Sequence, residues 1–220
     1  MARWSPYDLN GGTCLAIGGE GFCIVAASTR LSTGFSILTS DKTMILKVNE
    51  KCMIASAGFD GDRSQLHKVL TFRSENYEHF HKKPMSCPAM AQMLGNTLYY
   101  KRFFPYYTFN LCAGLDDKGL GCVYTYDAIG SHERVAVSCQ GSGKDLIQPV
   151  LDNQLKCGNI LEMPPKVPIT SLSLDEAKDI VKIAFSAASE RDIYTGDAVE
   201  IFVMTPNAEV VKEILPLRRD

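Results

Sequence analysis

The 220-residue chain has no run of ~18 consecutive apolar residues, the length a helix needs to cross a bilayer, so no helical membrane span is expected. Its first residues, Met1-Ala2-Arg3-Trp4-Ser5-Pro6, lack an apolar h-region, so a secretory signal is not expected either. Neither charge sign is in excess: 23 Lys and Arg stand against 25 Asp and Glu, a net charge of −2. That balance gives no basic face for nucleic acid and no polybasic segment for a membrane surface. There is no C-x-x-C pair, so the spacing of a zinc ribbon or a dithiol redox motif is missing. Repeats and low-complexity segments are missing too.

Eight cysteines are present: Cys14, Cys23, Cys52, Cys87, Cys112, Cys122, Cys139 and Cys157. They are scattered, and Cys23, Cys52 and Cys112 sit in apolar strand-like runs. Buried, reduced thiols in an intracellular protein are expected, because free Cys packs as a small hydrophobe. His79-Phe80-His81 is the one histidine pair close in sequence. On a helix its two rings would point about 200° apart, given ~3.6 residues per turn. A solvated helix end is the expectation, with no metal and no cofactor. The apolar fraction, 45%, is that of an ordinary globular chain and large enough for one extended core.

Strand signals fill the first 57 residues. Thr13 to Ile17 and the continuous apolar run Phe22 to Ser28 flank a tight turn at Glu20-Gly21. Met44 to Val48 and Lys51 to Ala57 form a second hairpin, joined at Asn49-Glu50. From Asp60 or Asp62 the period becomes helical, with Leu66, Val69, Leu70, Arg73, Tyr77 and Phe80 on one stripe and Pro84 as the stop. Ser86-Cys87-Pro88 opens a second helix, with Met90, Met93, Leu94 and Leu98 as core filler and Pro105 closing it. Strands return at Tyr107 to Leu115, Gly121 to Tyr126 and Glu133 to Ser138. Gly141-Ser142-Gly143 opens a helix to about Leu155, and a proline-rich connector follows at Met163 to Pro168. Ser173 with Glu176 makes a capping box for a long helix whose stripe is Ala177, Ile180, Val181, Ala184, Phe185 and Ala188. Asp197 to Met204 and Glu209 to Leu215 are the last strands, with Asn207 in their turn. Strands, two helices, strands, two helices, strands is an α+β order, and its segregated blocks argue against a doubly wound parallel sheet.

Four ordered blocks carry a resemblance that runs from Ser5-Pro6-Tyr7 to Leu217-Arg218-Arg219-Asp220. They are Asn10-Gly11-Gly12-Thr13, Arg102-Phe103-Phe104-Pro105-Tyr106-Tyr107, Leu151-Asp152-Asn153-Gln154 and Glu190-Arg191-Asp192-Ile193-Tyr194-Thr195-Gly196-Asp197-Ala198. In them the chain resembles the beta-type subunits of the eukaryotic 20S proteasome core. The resemblance implies the four-layer αββα sandwich of the N-terminal nucleophile hydrolases, with residues 1–11 as an N-terminal arm and 12–220 as one beta-type domain.

Active members of that family use an N-terminal threonine whose own amino group serves as base. An aspartate after the second strand and a lysine opening the fourth poise it. With Leu15-Ala16 matched to the family's first strand, Gly12 falls on the threonine position, Ser28 on the aspartate and Met44 on the lysine. Ser142, Asp192 and Thr195 fall on the remaining positions with suitable residue types. Shifting the register by one makes Thr13 the nucleophile, but Thr29 and Ile45 then stand for the two charged groups. A buried ammonium stabilises an alkoxide-like oxygen, and neither Met44 nor Ile45 carries charge.

The resemblance therefore implies a non-catalytic position in the ring, with no catalytic residue in this chain. An active endopeptidase subunit using Thr13 is the alternative. The implied partners are the other alpha and beta subunits of a 28-subunit stack of four seven-membered rings, in cytoplasm and nucleus, without nucleic acid or membrane. Asp116 and Asp117 resemble a loop lent to the substrate pocket of a chymotrypsin-like neighbour. The arm, with apolar anchors at Trp4, Tyr7 and Leu9, is expected to pack on a neighbouring subunit.

Overall fold

The computed structural model describes residues 5–155, 168–206 and 208–218. Two five-stranded antiparallel sheets stack face to face, and each carries a helix pair on its outer face. The first sheet has the order β10-β1-β2-β11-β12 and the second β5-β6-β7-β8-β9. In chain order the first contains β1 (Thr13–Gly19), β2 (Phe22–Ser28), β10 (Val137–Gly141), β11 (Ala198–Thr205) and β12 (Ala208–Pro216). The second contains β5 (Ile45–Asn49), β6 (Cys52–Gly58), β7 (Thr108–Leu115), β8 (Gly121–Tyr126) and β9 (His132–Val135). A short hairpin, β3 (Leu31–Thr33) and β4 (Ser36–Thr39), stands apart from both.

The expected four layers follow from how β1 and β2 distribute their side chains. Every residue of both strands is buried, as strands covered on two faces require. Leu15, Ile17, Ile24 and Ala26 face α3 (Lys144–Leu155) and α4 (Leu174–Ser189), where they meet Ile147, Leu151, Val181 and Phe185. Cys14, Ala16, Cys23, Val25 and Ala27 face the other sheet and meet Met53, Ala55, Ala57, Leu111 and Ala113. Those inter-sheet residues are mostly small. On the far side α1 (Asp60–His81) and α2 (Cys87–Tyr100) cover Ile54, Cys112 and Cys122 with Leu66, Leu70, Met90 and Leu94.

Helix α4 begins as its sequence dictates. The Ser173 hydroxyl accepts from the Glu176 amide, and the Glu176 carboxylate accepts from the Ser173 amide at 3.0 Å. Its buried stripe is Ala177, Val181, Ala184, Phe185 and Ala188, with Ile180 partly buried.

Other expectations need correction. Helix α1 stops at His81, before Pro84, because Lys82 takes a left-handed backbone and bonds back to the Glu78 carbonyl. Its buried face is Arg63, Leu66, Leu70 and Ser74, while Phe80 is exposed beside the exposed His79 and His81. Helix α2 likewise ends at Tyr100, well before Pro105. The strand read as Glu133 to Ser138 is two strands in different sheets. β9 pairs with β8, β10 pairs with β1, and Ala136 between them gives its carbonyl to the Gly18 amide at 2.8 Å. The β3–β4 hairpin carried no signal because Ser36 to Leu38 are all exposed and do not alternate. The proline-rich connector up to Val167, Asn207, Trp4, Cys157 and the last two residues lie outside the described residues.

Candidate functional site

Antiparallel pairing brings the start of β1 to the ends of β2 and β10 and to the start of β11. Every residue matched to the family's catalytic set is carried to this one end of the first sheet or to the loops beside it. Gly11 and Gly12 turn the chain into β1 with left-handed backbones, φ +67° and +82°. This is the conformation only glycine takes without strain.

The Gly12 Cα faces the two replaced positions. A Cβ built on Gly12 would lie 2.2 Å from Met44 Cε, 2.6 Å from Met44 Sδ and 3.7 Å from Ser28 Oγ. The three residues matched to threonine, lysine and aspartate are thus neighbours, and the Met44 thioether fills the space a side chain at 12 would need. Met44 is fully buried, and its carbonyl accepts from the Ser56 amide at 3.1 Å.

The other matched residues gather around Thr13. The Ser142 and Thr195 hydroxyls both donate to Asp192 Oδ2, at 2.7 and 2.6 Å. Thr195 Oγ1, its proton so committed, accepts from Thr13 Oγ1 at 2.7 Å. The Gly143 amide donates to Thr13 Oγ1 at 2.8 Å. A directed chain runs from Gly143 through Thr13 and Thr195 to Asp192, each bond polarising the next. The Thr13 nitrogen is a peptide amide that donates to Ser28 Oγ at 3.1 Å. It has no lone pair to serve as base, and Thr13 is fully buried. Gly12 in turn gives its carbonyl to the Ser142 amide at 3.1 Å.

Asp192 also shapes its own turn, accepting from the Tyr194 amide at 3.1 Å. The turn is held by Arg30, which donates to Asp197 from Nε at 2.9 Å and Nη2 at 3.3 Å, and to the Ile193 carbonyl at 3.0 Å. Gly196 lies flat on that guanidinium, where a Cβ would sit 2.4 Å from Cζ. Sequence reasoning gave Arg30 no role, although it stands two residues after the matched position Ser28.

Asn10 explains its place in the Asn-Gly-Gly-Thr block. Its Oδ1 accepts from the Asp60 amide at 2.9 Å at the start of α1, and its Nδ2 donates to the Ser32 carbonyl at 3.2 Å. One side chain thereby ties the arm to α1 and to the β3–β4 hairpin. Beneath it Arg63, buried, pairs with Asp60, and His67 Nε2 meets Ser56 Oγ at 2.9 Å. Burial and the Arg63 charge push the His67 ring down to about 4, which keeps it neutral near pH 7. Burial alone would raise Asp60, but the Arg63 and Lys42 cations outweigh it and hold its carboxyl below the usual range.

Within residues 5–11 of the arm, Tyr7 packs on this chain itself. Tyr7 stacks on Phe104 and tilts against Tyr107, with centroids 5.6 and 5.5 Å away, and its hydroxyl donates to the Pro105 carbonyl at 3.0 Å. Phe104, Pro105 and Tyr107 of the aromatic block are therefore where Tyr7 lands. Leu9 and Gly11 then border a cleft of about 320 Å³ also lined by Phe109, Gln140, Ser142 and Lys144.

Asp116 and Asp117 lie elsewhere, beside the Glu20-Gly21 turn at the opposite end of β1. Asp116 is committed internally: its Oδ1 accepts from the Lys118 and Leu120 amides at 2.9 and 3.0 Å, and Oδ2 meets Arg134 at 3.2 Å. Burial works against this carboxyl, but these donors win and hold it below its ordinary range. Asp117 is the exposed carboxylate of the pair. Lys42 and Lys47, the cations nearest Met44 in sequence, pair with Asp60 at 3.4 Å and Glu50 at 2.6 Å.

The seven cysteines among the described residues are buried and unbridged, as expected. Burial pushes Cys14 up to about 12 and raises Cys23 and Cys139, so these behave as core filler. Cys52, Cys87 and Cys112, however, converge on one buried point, with all three sulfurs within 4.8 Å of one another.

A family model described as "Proteasome subunit" matches residues 9–204. The chain is 55% identical over 220 residues to "Proteasome subunit beta type-1" of Petunia hybrida, covering 100% of this chain and 98% of that protein. It is 54% identical over 219 residues to the protein of that name from Arabidopsis thaliana, with 100% and 98% covered. Against the one from Dictyostelium discoideum it is 48% identical over 208 residues, with 93% and 86% covered.

Proposed function

The chain belongs to the proteasome subunit family, and from that premise we propose that it is a non-catalytic subunit of the 20S core. It completes a seven-membered beta ring and supports the ATP- and ubiquitin-dependent proteolysis carried out by other beta subunits, in cytoplasm and nucleus. The observation that carries this reading is Gly12. The nucleophile position has no side chain, and the Met44 thioether takes both the space of that side chain and the place of the lysine. Removing members of a catalytic unit costs orders of magnitude in rate.

Assembly with other subunits is supported by apolar exposure in three places. Phe35, Ile37 and Leu38 project from the β3–β4 hairpin, Phe72 and Phe80 from α1, and Tyr99, Tyr100 and Phe103 from the end of α2. A monomer in water rarely leaves so much large apolar surface in groups.

Thr13 is the second reading, favoured by its bonds to Thr195 and Gly143. It would require cleavage of the Gly12–Thr13 bond to make an amine. Particles purified from the native source and treated with an epoxyketone probe separate the two. The expected chain starts before Gly12 and carries no adduct. A chain starting at Thr13 with the probe attached would overturn the non-catalytic reading.

The resemblance also assigns Asp116 and Asp117 to the substrate pocket of a chymotrypsin-like neighbour. Because Asp116 is turned inward, Asp117 is the carboxylate available to such a pocket. In assembled particles Asp117→Asn is expected to shift the neighbour's preference away from basic peptides, read as a several-fold change in kcat/KM between basic and neutral fluorogenic substrates. Unchanged ratios would remove the assignment.

A further inference from the structure

The second sheet and α2 enclose a cluster of thiols that the proposed subunit role does not use. Cys52 lies on β6, Cys112 on β7 and Cys87 in the first turn of α2, and all three are completely buried. In the β6–β7 register Cys52 faces Gly114 and Ile54 faces Cys112. Cys52 and Cys112 are therefore diagonal neighbours on the face that α2 covers. Their sulfurs are 3.8 Å apart, and Cys87 brings a third so that all three lie within 4.8 Å of one another. A cation with metal–sulfur bonds of ~2.3 Å holds its thiolates ~3.8–4.0 Å apart. One edge of the triangle already has that length, and the other two need to contract by at most about 1 Å.

We propose that Cys52, Cys87 and Cys112 form a three-thiolate site for a thiophilic closed-shell cation, Cu(I) or Zn(II). Thiolates select these ions over hard cations such as Mg²⁺ or Ca²⁺. Binding replaces three S–H protons by three metal–sulfur bonds and releases three protons, with no change of oxidation state. Cys87 opens α2, where unpaired amides favour negative charge.

A second observation concerns the charge left after binding. Cys122, on β8, is the diagonal neighbour of Cys112 in the β7–β8 register, and Arg134 on β9 pairs with Tyr124, which itself pairs with Cys112. Arg134 reaches Asp116 and the Gly121 carbonyl through Nη2, yet its Nε is buried with no hydrogen-bond partner. A cationic group with an unsatisfied donor thus stands on the side where thiolate charge would accumulate. Bound metal would join α2 to the β6–β7 ladder, which α2 otherwise meets here through apolar contact.

The coordination number distinguishes the two ions. Cu(I) is satisfied by three thiolates in a dry site, whereas Zn(II) needs a fourth ligand, and Cys122, diagonal to Cys112 in the same core, is the candidate. The test uses the full-length chain, purified under reductant without chelator. Its metal content is measured by plasma mass spectrometry, and it is then titrated anaerobically with Cu(I) against a chromophoric chelator and separately with Zn(II). About one equivalent of either ion per chain is expected. Cys87→Ser should reduce binding at least tenfold, and Cys139→Ser, whose sulfur lies on the other face of the first sheet, should leave it unchanged. If Cys122→Ser weakens Zn(II) but not Cu(I), the three-thiolate site is the copper form. Equal loss of both makes Cys122 a fourth ligand and supports the site. Failure of the wild-type chain to retain or take up either ion would overturn the proposal, whether its thiols stay free or an intact mass lower by two hydrogens reveals a Cys52–Cys112 disulfide. None of these results bears on Gly12, so the subunit reading stands or falls separately.

Discussion

Gly12→Thr is expected to destabilise the chain by about 2–5 kcal/mol and to yield no threonine-directed labelling. The cost has two parts. At φ +82° a β-branched residue occupies a region closed to it, at about 1–2 kcal/mol. Its Cβ would also sit 2.2 Å from Met44 Cε, and overpacking a filled core costs about 1–3 kcal/mol. Met44 is sealed between the sheets and cannot swing into solvent. The two parts separate in a double-mutant cycle. Gly12→Ala alone should carry both. In the Met44→Ala background, itself about 2–5 kcal/mol less stable, Gly12→Ala should carry only the backbone part. The cycle should therefore return a coupling of about 1–3 kcal/mol, read from urea unfolding midpoints. Additive effects would mean that Met44 does not fill the position. Labelling should stay absent even if the variant folds, because no cation replaces the lysine beside the new hydroxyl.

Asp60→Ala should cost about 3–5 kcal/mol, more than most surface substitutions, because it strands a buried charge. Arg63 is the largest fully buried side chain among the described residues. Its guanidinium is held by the Asp60 carboxylate, with the Ser56 carbonyl at 3.5 Å. Without that carboxylate the cation keeps only a long bond to a carbonyl. Adding Arg63→Met should recover most of the loss, since an apolar chain of similar volume needs no partner there. Equal stability of the single and double variants would show that the pair contributes little.

The same corner sets a pH dependence. The folded His67 value, about 4, lies below its ordinary 6.5, so the unfolded chain binds more protons between them. Stability is complete above ~6.5 and falls as pH drops toward 4. Asp60, depressed in the fold, loses its contribution at still lower pH, below its ordinary 3.8. His67→Gln should flatten the upper part of this acid limb and leave the lower part. An unaltered limb between pH 6.5 and 4 would remove His67 from the account.

What could be read in the sequence was what neighbouring residues encode. Phe22 to Ser28 is apolar without a break because helices cover one face of β2 and a second sheet the other. Ser173 and Glu176 announce α4 because a cap is a contact between residues three apart. Gly12, Ser28 and Met44 could be matched one by one because each keeps a fixed offset from a strand with a clear pattern. Tertiary structure decided what depends on distant segments meeting. Ala136 divides one apparent strand between two sheets because Gly18, far away in sequence, takes its carbonyl. Tyr7 lies on Phe104 and Tyr107 because the end of α2 offers aromatic surface beside the emerging arm. Thr13 shares a hydrogen-bond chain with Asp192 because antiparallel pairing returns β10 and β11 to the start of β1. Cys52, Cys87 and Cys112 meet because a diagonal strand register and the first turn of a helix point at one spot, a coincidence that no spacing along the chain expresses.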